Sequence, residues 1–148
     1  MDFTHRHVEG LKMSLNHSQS GIEESLVELE GDFRSWLDHA HQRTLRNHVI
    51  EHLVSFRWVL DQHFTRVAGE GYLENIVAMR PGMYRELREI ECRQYQVLDD
   101  MDRLIHRAQC CEFHRDTVSD LFDDFQRVRA EILDEESLER SMVEKGLA

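Results

Sequence analysis

Five side chains stand where packed helices could bring chemistry together: His5, His63, Gln94, Glu131 and Glu135. Imidazole nitrogens and carboxylate oxygens are donors for Zn, Fe or Mn ions. His63 prolongs an apolar stripe at helical spacing, Val49, Leu53, Phe56, Leu60 and then Val67, and Gln94 interrupts the stripe Met83, Leu87, Ile90, Val97, Leu98, Met101 and Ile105. Glu135 falls on the stripe Val118, Leu121, Phe125, Val128, Ile132, Leu138 and Met142, with Glu131 one turn earlier. Unpaired polar groups are costly in an apolar core. An inward-facing set therefore needs either mutual hydrogen bonds or a bound ion.

The same periodicities define the elements that must position these residues. A first helix is predicted from about Thr4 to Leu29, carrying His5, Val8, Leu11, Leu15, Ser18, Ile22 and Leu29 on one face, with Gly31-Asp32 as a stop followed by an N-cap. A second is predicted from Phe33 to Val67, with a bend near Thr44 to Asn47. Gly69, Gly71 and the lone Pro81 surround a short helix, Tyr72 to Met79, and Pro81 suits the first turn of a third long helix that runs to Ala108. A connector, Gln109 to Arg115, leads to the last helix, Asp116 to Val143. No strand-like alternation or internal repeat interrupts the pattern. The expected architecture is all-α: one domain over residues 1–148, an antiparallel up-down-up-down four-helix bundle with a short extra helix between helices two and three. In such a bundle all five polar residues lie towards one end.

The segment HFTRVAGEGYLENIVAMRP resembles the helix-two motif of hemerythrin-like (HHE cation-binding) domains, HF-x-x-E-E-x-x-GYL followed by RP. The likeness extends over Trp36 to Met142, with the first helix fitting more loosely. It implies a four-helix bundle in which histidines and bridging carboxylates hold two iron ions that bind or sense dioxygen or handle iron. His63 and Phe64 match the motif, but Val67 stands where a carboxylate is expected. The family's E-H pair falls on Arg93-Gln94, so Gln94 replaces a histidine, and its H-E-x-x-E begins at Glu131 and keeps Glu135 as the second carboxylate. In helix one His5 fits best and His7 less well. Val67 and Gln94 are thus lost ligand positions, and no di-iron centre is expected: Val67 has no lone pair, and a neutral amide competes poorly with imidazole. The leading expectation is a non-enzymatic scaffold or interaction module without cofactor. Its alternative is a protein retaining a reduced site at His5, His63, Glu131 and Glu135 for a single iron or zinc ion, in metal or oxygen sensing or storage.

His48-Val49-Ile50-Glu51-His52 matches the zinc-peptidase pattern H-x-x-E-H, but the strand-containing scaffold of such peptidases is missing, so chance placement or surface metal binding is preferred. Adjacent Cys110 and Cys111, with Cys92, lack metal-type spacing and do not make a disulfide framework. The run Asp116, Asp120, Asp123 and Asp124 suits the first half of a helix, where carboxylates complement the dipole.

A formal charge of -11 over 148 residues argues against nucleic acid and anionic membranes as partners. The chain has no apolar run of the roughly 20 residues a membrane span requires, and Met1 to Gly10 has no signal-like apolar core. A cytoplasmic protein is expected, with a protein partner whose identity the sequence does not name.

Overall fold

The computed structural model describes the backbone of residues 2–69 and 72–147, and the side chains of 9–68 and 72–146. Helix α1 spans Asp2–Asp38 and α2 spans Arg43–Phe64, continued by a π-helical turn, Thr65–Gly69. The short α3 is Tyr72–Met79, and a 3-10 turn at Pro81–Met83 starts α4, Tyr84–Cys110. The last helix, α5, is Arg115–Leu147. The described residues contain no strand, and none of their helices is long and apolar enough to cross a membrane.

The predicted stop at Gly31-Asp32 is corrected: α1 runs through it to Asp38, and the chain reverses at His39–Gln42. The stripe explains this. Ile22, Leu26, Leu29, Phe33 and Trp36 continue one buried face without a break, whereas Gly31 lies on the exposed face with open space around its Cα. A solvent-facing glycine costs about 1 kcal/mol against alanine. Burying two aromatic side chains beyond it outweighs that, at about 1.5–3 kcal/mol each. The break expected as a bend at Thr44 to Asn47 therefore falls a few residues earlier, as the inter-helix turn.

The long helices close a four-cornered bundle in which α1 packs on α2 and α5, and α4 packs on α2 and α5. Contacts along each pair run antiparallel. On α1 and α5, Gln19 meets Glu139 while Glu30 meets Arg129; on α4 and α5, Gln94 meets Glu135 while Arg107 meets Asp124. Arg46, at the start of α2, donates to the carbonyls of Ala108 (3.3 Å) and Gln109 (2.5 Å), satisfying groups the end of α4 leaves unpaired.

Two apolar clusters fill the bundle. The larger is built around Phe33, Trp36, Phe56 and Phe125, with Phe33 stacked on Phe125 at 4.9 Å between ring centroids. The smaller joins Leu15, Val67, Leu73, Ile76, Met83, Leu87, Ile90, Met142 and Val143. Between them every long helix contributes polar side chains: Gln19 lies between Leu15 and Ile22, His63 between Leu60 and Val67, Gln94 between Ile90 and Val97, and Glu135 and Glu139 between Ile132 and Met142. A polar layer divides the core.

Candidate metal centre

His63 is the hub of that layer. Its Nε2 lies 2.8 and 3.2 Å from the two carboxylate oxygens of Glu139, and its Nδ1 lies 2.6 Å from Ser18 Oγ. Gln19 donates from Nε2 to the Glu136 carbonyl (3.0 Å) and to Glu139 Oε1 (3.1 Å), while its Oε1 accepts from Arg140 (3.2 Å). Gln94 donates to Glu135 Oε1 at 3.2 Å. Glu135, Glu136 and Glu139 are each 0% exposed and His63 is 2% exposed. Buried polar groups are normally hydrogen-bonded. Here Glu135 Oε2 and both carboxylate oxygens of Glu136 receive no N–H or hydroxyl donor, and the carboxyl–carboxyl bonds open to them, Glu135 with Glu139 and Glu136 with Glu23, require a shared proton.

Burial sets the protonation. Desolvation depresses His63 to about 4, against an opposing pull from Glu135, so the imidazole is neutral at pH 7. Desolvation raises Glu135, helped by the adjacent Glu139, and it raises Glu139 too. Glu136 is pushed up to about 8, by desolvation first and then by Glu23. The core cannot carry these carboxylates as a cluster of bare anions.

One donor atom each from His63, Glu135 and Glu139 lie within 4.8 Å of one another. This set fits a single divalent ion. One neutral imidazole and two carboxylates match the donor preferences of Zn, Fe or Mn, and two ionised carboxylates would balance the ion's charge. Ser18 would then hold the far ring nitrogen of His63, the usual way a ligating histidine is oriented. Ser18, His63 and Glu139 also form a Ser–His–Glu chain. It does not make a nucleophile site: Ser18 lies inside α1, where backbone N–H groups are used by the helix and none is free to bind an oxyanion.

Of the predicted ligands, His63 and Glu135 lie together. Glu131 does not join them. It lines a cleft of about 240 Å³ with Asp100, Arg107, Asp124 and Arg127, where desolvation and Asp100 raise its pKa. The side chains of His5 and His7 lie outside the described residues. Val67 is 1% exposed and sits in the smaller apolar cluster, and Gln94 is in the polar layer as an amide donor. Sequence reasoning missed Gln19, Glu136 and Glu139, and placed Ser18 on the inner stripe without a role. The repeat Glu135-x-x-x-Glu139, two carboxylates one turn apart at the end of a core stripe, was the available signal. Cys92 and Cys110 are exposed and Cys111 is half-buried, all three as free thiols.

No family model matches the chain, and the comparisons with curated proteins and with solved structures returned no match.

Proposed function

We propose that this chain is a divergent hemerythrin-like bundle that binds one divalent metal ion, iron or zinc, at His63, Glu135 and Glu139, and works non-enzymatically in metal or oxygen sensing or storage. The observation that carries the reading is the convergence of three buried donor atoms, one each from His63, Glu135 and Glu139, within 4.8 Å of one another. Without an ion, Glu135 and Glu139 must share a proton to stay buried side by side; a divalent ion would take that proton's place and balance both carboxylates. A di-iron centre does not suit the same residues, since Val67 supplies no donor and, among the described residues, His63 is the one imidazole in this group, which leaves a second ion without nitrogen. The other expectation, a scaffold without metal, draws support from the hydrogen bonds that already occupy His63, Gln19 and Gln94.

Equilibrium dialysis against Zn2+ and anaerobic Fe2+, with metal counted by mass spectrometry, separates the two. A metal-binding bundle loses an equivalent in Glu139→Gln and in His63→Ala; a scaffold has no equivalent to lose at these residues.

A further inference from the structure

A cleft of about 310 Å³ opens between the end of α2 and the first half of α4. Phe64, Ala68 and Leu98 give it apolar walls, and Asp61, Glu74 and Glu91 place three carboxylates around it, with no arginine or lysine in its lining. Arg57, 3.8 Å from Asp61, is shared with Asp102 at 3.0 Å. The π-helical turn after α2 supplies Thr65 and Ala68 to the same wall; such turns are rare and frequent at functional sites. Gln94 joins this cleft to the polar layer. It lines the cleft and is 6% exposed, against 2% or less for Gln19, His63, Glu135, Glu136 and Glu139. Its Nε2 donates to Glu135 Oε1 at 3.2 Å, and its Oε1 accepts no hydrogen bond among the described residues.

Given the buried metal site proposed above, on which the route depends, we propose that a divalent cation enters through this cleft and that Gln94 is its gate. Ligands enclosed as His63, Glu135 and Glu139 are can be reached only where a side chain in the wall moves aside. Carboxylates of one sign between low-dielectric walls focus the field, so Asp61, Glu74 and Glu91 concentrate cations at the cleft and repel anions. The free Oε1 of Gln94 then offers a neutral oxygen to an ion shedding water, one side chain away from Glu135. A neutral amide competes poorly with imidazole and carboxylate, so the ion moves inwards. Swinging Gln94 off Glu135 breaks one hydrogen bond, and the arriving ion takes the place of the proton between Glu135 and Glu139.

Rapid mixing of the metal-free full chain with Zn2+, the free ion followed by a low-affinity fluorescent indicator, tests the route. Asp61→Asn/Glu91→Gln should take up Zn2+ about threefold or more slowly than the wild type at low salt, and the gap should narrow as salt rises. Asp116→Asn/Asp120→Asn, the same change in charge at the exposed start of α5, should load at the wild-type rate. Ala68→Leu, which narrows the cleft, should slow loading at low and high salt alike. At equilibrium all of these should hold the one equivalent that Glu139→Gln lacks. If Ala68→Leu loses helix content by circular dichroism, the Asp61 and Glu91 variant decides alone. Wild-type loading in either folded cleft variant overturns the route and leaves the metal site standing. A wild type with no equivalent that depends on Glu139 overturns site and route together.

Discussion

His63 Nε2 and Glu139 Oε1 are 2.8 Å apart, and both residues are closed off from solvent at the level where the two apolar clusters part. Ser18 on the far side of the ring completes a chain across α1, α2 and α5. Replacing His63 with Ala strips Glu139 of an imidazole partner inside the core and should destabilise the protein by about 1–3 kcal/mol. Ser18→Ala, at a half-buried position, should cost about 1 kcal/mol. Urea unfolding followed by circular dichroism gives both values, and equal effects would contradict the ranking.

Stability of the metal-free protein should fall as pH rises above the ordinary carboxyl value of 4.5, because three raised carboxyls outweigh one depressed imidazole. Glu135, Glu136 and Glu139 have folded-state pKa values raised above their unfolded ones, Glu136 to about 8. The unfolded chain therefore releases protons that the fold retains, and stability drops as pH climbs from the unfolded values through the folded ones. Each such group contributes a slope of about 1.4 kcal/mol per pH unit within its window. His63 acts in the opposite sense: depressed to about 4, it makes stability rise between there and its unfolded value near 6.5. The two trends place the optimum on the acid side of neutrality. Urea midpoints between pH 4 and pH 9 check this, with a chelator present throughout.

Restoring ligands at the two lost positions should have opposite outcomes. Gln94 already points into the layer, so Gln94→His should tighten metal binding by adding an imidazole beside Glu135. Val67 lies one turn beyond His63 among Leu15, Leu73 and Ile76. Val67→Glu should bury an unpaired carboxyl there, cost about 1–3 kcal/mol, and leave metal affinity unimproved. Metal titration and urea unfolding of both variants decide the point.

The end of α5 closes tightly on α3. A Cβ built on Gly146 would sit 2.8 Å from Ile76 Cγ2 and 3.1 Å from its Cγ1, and Ile76 is buried in the smaller cluster. Gly146→Ala should therefore cost about 1–3 kcal/mol despite alanine's better helix propensity. Ile76→Ala removes both of these atoms, so combined with Gly146→Ala it should cost less than the sum of the two single changes, read by thermal unfolding.

The apolar stripes made the all-helical bundle legible before any coordinates, because period alone separates helix from strand. The turn was not, and the level at which α1 meets α2 depends on it. Residues equally far from His39–Gln42 lie side by side, which sets Ser18 against His63. A turn at Gly31-Asp32 would instead set the start of the chain against His63. On α5 the true register is one turn further along than expected. Glu131 consequently faces Asp100, and Glu135 and Glu139 take the inner level. Asp32 illustrates the physical cause. As an N-cap it would have bonded backbone N–H groups, but His48 and His52 across the hairpin satisfy its carboxylate while α1 continues. Long-range partners decided a choice that local propensity left open.

Anomalous diffraction at the metal edge, from crystals of the iron- or zinc-loaded protein, tests the central claim most directly. The account predicts one peak in the polar layer at about 2.0–2.2 Å from a His63 ring nitrogen and from oxygens of Glu135 and Glu139. Metal-loaded crystals with no peak there, and with His63 still hydrogen-bonded to Glu139, would contradict it.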